Sequence, residues 1–144
     1  WGRFDSWPLF DEPFVLLVEA NHPLASRNAI ELAHLQGERI LQRTYCEQCD
    51  QIGDALQAAK VVNPVNHVVA NEHDLGMLLG AGAGVAIAPR SAPVATGIRK
   101  LPIGDLALGR SVILSAVAGR QRSPVAATFI KSVRAADWPA RLMA

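Results

Sequence analysis

The chain has 144 residues, half of them hydrophobic and 19% charged, which is the balance of a soluble globular protein with enough length for a real core. Its 14 basic and 13 acidic residues leave a net charge of +1, which excludes a broad field steering the chain toward nucleic acid. The length fits one ordinary domain or two small lobes, no apolar run approaches the length of a membrane span, and the start, Trp1-Gly2-Arg3, has neither an initiator Met nor a signal-peptide pattern, so the chain reads as a fragment.

Trp1 to Pro13 mixes aromatics, acids and prolines and reads as an irregular lead-in. Phe14 to Val18 is a continuous apolar run of strand length, the pattern of a strand buried on both faces. Asn21-His22-Pro23 turns the chain. Asn28 followed by Glu31 fits a capped helix over Ala29 to Leu35, ended by Gly37. Arg39 to Leu41 is a brief strand and Thr44 to Cys49 a loop. Asp50 to Lys60 is helical, with Ile52, Leu56 and Ala59 on one face, and Pro64 breaks it. Val65 to Ala70 makes the next strand. Leu75, Met77, Leu78 and Leu79 then give an apolar helix that runs into Gly80, Gly82 and Gly84, followed by a strand from Val85 to Ala88 that stops at Pro89. Ser91 to Gly97 is a surface loop. Ile98 to Ile103 and Val112 to Val117 are strands. Ser123-Pro124 opens the last helix, whose apolar residues are Val125, Phe129, Ile130 and Val133. Alternating strands and helices predict an α/β fold with a parallel or mixed sheet.

The glycines do not make a phosphate loop. Such loops run strand, glycines, helix, because the phosphate sits on a helix N-terminus; here the order is helix, glycines, strand, which reads as a left-handed helix cap and a tight turn. Cys46-Glu47-Gln48-Cys49 lies at a predicted helix start, where a thiol can be activated, but Glu47 and Asp50 oppose a thiolate. Two cysteines three apart are too close for an ordinary framework disulfide, so a reducing, cytoplasmic setting is expected. Zinc needs four ligands and no second such pair exists; His34, His67 and His73 are scattered and read as surface or capping residues, so no metal is expected. No nucleophile motif appears and no cofactor is expected, so the chain does not read as an enzyme. Arg39, Arg43, Arg90 and Arg99 are candidates for holding an anion or are solvated charges. In an open α/β sheet, ligands bind at the carboxyl ends of strands. That places Arg43, Thr44, Tyr45 and Cys46 after one strand, and Asn71 and His73 after the next, at the expected site.

Taken in order, several motifs resemble the effector-binding domain of LysR-type transcriptional regulators. They are Phe14 to Val18 followed by His22-Pro23-Leu24-Ala25, then Leu35-Gln36-Gly37-Glu38, then Leu79 to Pro89, and Ser123 to Arg134 with Phe129-Ile130. The resemblance implies a periplasmic-binding-protein-like lobe of type 2, with a mixed, mainly parallel sheet flanked by helices. It implies residues 1–13 as a lead-in from a first lobe, 14–117 as the second lobe, and 118–144 as a C-terminal helix and tail returning toward the first. It further implies a small-molecule inducer in an interlobe cleft, with the Thr44 loop and the crossing at Glu12, Pro13 and Phe14 facing it. The expected partners are that inducer and a homodimer or tetramer; DNA is reached only through a helix-turn-helix domain absent from this chain, and there is no membrane partner. Thr44→Val or Arg43→Ala is expected to weaken inducer binding without unfolding the domain. Cys46 lies near the reactive cysteine of peroxide-sensing members, but its spacing to Cys49 is not that of their disulfide partner, and the redox switch is not carried over. A thiol-redox protein using Cys46 and Cys49, or a periplasmic-type solute-binding module, are the alternatives.

Overall fold

The five residues Phe14 to Val18 are all buried, and they divide between two cores by simple alternation. Phe14, Leu16 and Val18 point into one cluster; Val15 and Leu17 point into the other. This is why the run is continuously apolar: both faces of the strand are covered. The computed structural model describes residues 2–62, 67–138 and 140. The strand itself, β1, runs from Phe4 to Glu19, so the expected irregular lead-in is in fact extended. Pro8 is tolerated because this part of β1 pairs with β6 alone among the described strands, while the other two partners join only from Phe14 onward.

Contacts divide the chain into two compact units, Pro13–Gly109 and the pair Trp1–Glu12 with Arg110–Ala144. In the first, β1 lies between β4 (Ala86–Pro89) and β5 (Ile98–Pro102), antiparallel to both. Leu17 faces Ala86 on one side and Leu16 faces Leu101 on the other. The short strands β2 (Leu41–Arg43) and β3 (His67–Val69) pair in parallel, and a parallel bridge from Ile40 to Val85 joins β2 to the residue before β4. The sheet is mixed as expected: β1 is antiparallel to β4 and β5, while β2 and β3 pair in parallel. Helix α1 (Cys49–Ala58) covers one face through Ile52 and Leu56, and α2 (Glu72–Gly80) covers the other through Leu75 and Leu79. The expected break at Pro64 and the start of the strand at Val65 lie outside the described residues.

The helix expected over Ala29 to Leu35 is only a 3-10 turn, Leu32–Leu35, capped by Glu31 and not by Asn28. Ile30 is drawn into the sheet instead: its N–H donates to the Pro102 carbonyl at 2.9 Å, and it bridges Ile103. The Leu32 N–H is taken by Asp105 at 2.9 Å, a partner 73 residues away that local spacing cannot reveal.

The second unit holds the first part of β1, β6 (Gly109–Val117) and α3 (Pro124–Ala135). Ser123 caps α3 by accepting from the Ala126 N–H at 3.2 Å, with Pro124 in its first turn, as the sequence predicts. The apolar residues of α3 are largely uncovered: Val125 is 80% and Phe129 60% exposed. Trp7 lies against the guanidinium groups of Arg122 and Arg134, and Phe10 packs on Trp138 with ring centroids 5.7 Å apart. Among the described residues, no helix is long and apolar enough to cross a membrane.

Candidate functional site

Strand β2 sends its side chains alternately to the two helices. Ile40 belongs to the core on the α1 side and Leu41 to the core on the α2 side, so Arg43 follows Leu41 toward α2. There its Nη2 donates to a Glu72 carboxylate oxygen at 2.8 Å, and its guanidinium lies over the Tyr45 ring, 4.6 Å from the centroid. Burial works to lower the Arg43 pKa, but its neighbours Tyr45 and Glu72 more than offset it, and the group is raised above its ordinary value. Tyr45 is also raised, by burial first and by the Glu72 charge, against the lowering pull of Arg43. Arg43 is only 6% exposed, and its Nε and Nη1 are buried without a hydrogen-bond partner. Two donors in that state cost about 1–3 kcal/mol each unless an acceptor reaches them.

Thr44 turns the chain at the end of β2. Its N–H and hydroxyl both donate to the Val69 carbonyl at the end of β3, at 3.1 and 3.3 Å, which leaves the hydroxyl oxygen able to accept. Asn71 is the N-cap of α2: its Oδ1 accepts from the Asp74 N–H at 2.9 Å while its Nδ2 donates to the Asp74 carboxylate at 2.8 Å. His73 is exposed in the first turn of the same helix. The structure thus brings Arg43, Thr44, Tyr45, Asn71 and His73 to the neighbouring ends of β2 and β3 and the start of α2.

Three of the expected residues go elsewhere. Phe14 is 2% exposed and packs in the core, so it presents no surface to a ligand. Glu12 belongs to the other unit and is 3% exposed, held by Arg110 Nε at 2.7 Å. Cys46 faces α1, away from the Arg43 guanidinium, and with Cys49 borders a cavity of about 300 Å³. Both thiols are free. Glu72, in the first turn of α2, is the partner of Arg43. Nothing in the local spacing links them, because they are 29 residues apart. No group of three or more potential metal ligands occurs among the described residues.

Comparison with known proteins gives the family. The LysR substrate binding domain matches residues 1–138. The DNA-binding transcriptional dual regulator OxyR of Escherichia coli K12 is 31% identical over 85 residues, covering 57% of this chain and 27% of that protein. The chain therefore spans little more than a quarter of that relative. Among solved structures, the regulatory domain of Synechocystis PCC6803 CcmR in complex with 2-PG superposes with a TM-score of 0.70 at 20% identity, over 92% of this chain and 66% of that one. The effector binding domain of QuiR in complex with shikimate gives a TM-score of 0.67 at 18% identity, over 92% of this chain and 64% of the other. At these identities the two structures speak for the fold, which is of the periplasmic-binding-protein type 2 class. With a family match across almost its whole length, the chain belongs to the LysR substrate binding domain family.

Proposed function

We propose that this chain is the sensing part of a LysR-type transcriptional regulator and that it binds a small organic acid at the ends of β2 and β3. In this reading Pro13–Gly109 is the second lobe of the effector-binding domain and residues 1–12 and 110–144 go with the first, so that β6, expected in the second lobe, goes with the first. The single observation that carries it is Arg43: a buried guanidinium with two donors left without acceptors, at the strand ends where an α/β sheet binds ligands. Tyr45 is 36% exposed and covers the guanidinium, so a rotation of its ring would admit a carboxylate to Nε and Nη1. The Thr44 hydroxyl oxygen would accept from a ligand hydroxyl. The bound acid is read here as sensed and not transformed. Its differential affinity for two states of the parent regulator, a dimer or tetramer, would be passed to a separate helix-turn-helix domain on DNA.

The two complexes of related fold, with 2-PG and with shikimate, suggest small acids as first probes. Calorimetry with a panel of such acids, shikimate included, should find at least one that binds. Arg43→Lys keeps a charge beside Glu72 but loses the fork, and should weaken that acid by about tenfold. Thr44→Val should weaken hydroxylated acids more than plain ones. Affinities unchanged in both variants, or a panel in which no acid binds, would remove the site. Arg43→Ala is the poorer variant here, because it leaves Glu72 without its cation and opens a hole in the core, so stability would change along with binding.

A further inference from the structure

A cavity on the α1 side of β2 is not used by the effector site proposed above. Its walls are apolar, with Ile52 and Leu56 of α1 facing Ile40, Val61 and Ile87. Cys49, the first residue of α1, and Lys60, two residues past its last, both border it; they stand roughly 16 Å apart at the helical rise per residue. No Asp or Glu lines the cavity among the described residues. Of the two cations that border it among the described residues, Arg43 turns its guanidinium to the opposite face of β2 to meet Glu72, which leaves Lys60 as the one charge available among them.

Lys60 is also unusual in its backbone. Its φ is +57°, and it is the one non-glycine residue in the left-handed region among the described residues. It ends α1 in a cap where its N–H donates to the Gln57 carbonyl at 2.9 Å and the Val61 N–H donates to the Leu56 carbonyl at 3.0 Å. Glycine fits that position without strain, and here a lysine takes it. Strained residues of this kind gather at ligand sites. Lys60 borders the cavity together with Gln57, whose amide supplies a second donor.

We infer that this cavity binds a small monocarboxylic acid with a straight apolar chain. The chain lies along Ile52, Leu56, Ile40 and Ile87, and the carboxylate meets Lys60 Nζ and the Gln57 amide. The site is separate from the Arg43 cluster and does not depend on the reading given for it.

The test is calorimetry on the purified chain with butyrate, hexanoate, octanoate and octan-1-ol. Affinity should rise about fourfold for each methylene added along the acids, as burial of a chain requires. Octanol should bind about tenfold more weakly than octanoate. Lys60→Gln should weaken octanoate by about tenfold and leave octanol unchanged. Leu56→Trp, which fills the cavity, should abolish both in a protein whose melting curve still shows a cooperative fold; should that variant not fold, the Lys60→Gln comparison decides alone. Absence of octanoate binding, equal affinity for octanoate and octanol, or indifference to Lys60→Gln would overturn the assignment.

Discussion

The Cys49 thiol donates to the Arg43 carbonyl at 2.7 Å, and its pKa is raised above its ordinary value of 9.0, by burial first and by the neighbouring Cys46 second. The placement at a helix start argues for an activated thiolate, but the surroundings win, because removing a thiolate from water costs more than the first turn of α1 returns. Cys49 should therefore be alkylated by iodoacetamide with a pH midpoint above that of a free cysteine, read at Cys49 by peptide mass spectrometry on the unsubstituted chain. A midpoint at or below the free-cysteine value would restore the thiol-redox alternative. The sign for stability follows from the same shift. The folded state holds this proton more tightly than the unfolded chain, so the contribution is complete below about pH 9 and is lost as pH climbs through the folded value. Residues at this scale were legible where their role is local. Thr44 at a strand end and Asn71 at a helix start follow from spacing alone. The Arg43–Glu72 pair does not, since its geometry is set by β2 and α2 folding against each other.

At the scale of elements, α1 and α2 end in the same motif with opposite residues at its critical position. In α2 the Ala83 N–H donates to the Leu78 carbonyl at 2.9 Å and the Gly82 N–H to the Leu79 carbonyl at 3.0 Å, with Gly82 at φ +65°. The sequence predicts this cap, because a helix pattern running into glycines has little else to do. It does not predict the second use of the same run. A Cβ on Gly84 would collide with the Arg39 carbonyl oxygen, so that glycine is there to let β2 approach the start of β4, a contact invisible until the sheet order is known. Nor does it predict that α1 carries Lys60 where α2 carries glycine. Gly82→Ala should cost about 1 kcal/mol and Lys60→Gly should gain a similar amount, both read from the urea midpoint at constant slope. If Lys60→Gly is neutral or destabilising, the left-handed lysine is not strained, and one support for the cavity assignment goes with it.

At the scale of the whole molecule, the stability of the chain is concentrated in one of its two units. Every hydrophobic residue of the two core clusters lies between Phe14 and Leu106, inside Pro13–Gly109. In the other unit the exposed large hydrophobics include Ile113 and Val117 on β6 and Val125 and Phe129 on α3. This contrast explains what the sequence could and could not say. A run buried on both faces, such as Phe14 to Val18, announces itself by composition, whereas Phe4 to Pro13 is exposed or half-buried apart from Glu12 and carries two prolines, so it reads as irregular although it is extended. The contrast also predicts a gradient of local unfolding, because opening costs little where few apolar contacts are lost. In hydrogen exchange, the amides of Leu16, Leu17 and Val18, bonded to β4 and β5 and covered on both faces, should be among the slowest and should approach the global unfolding free energy. Those of β6 and α3 should exchange at least about tenfold faster, since each 1.4 kcal/mol of opening free energy is a tenfold change and the burial that separates the units is worth more than that. Equal protection across the two units would mean that the second gains its stability from something other than its own buried surface.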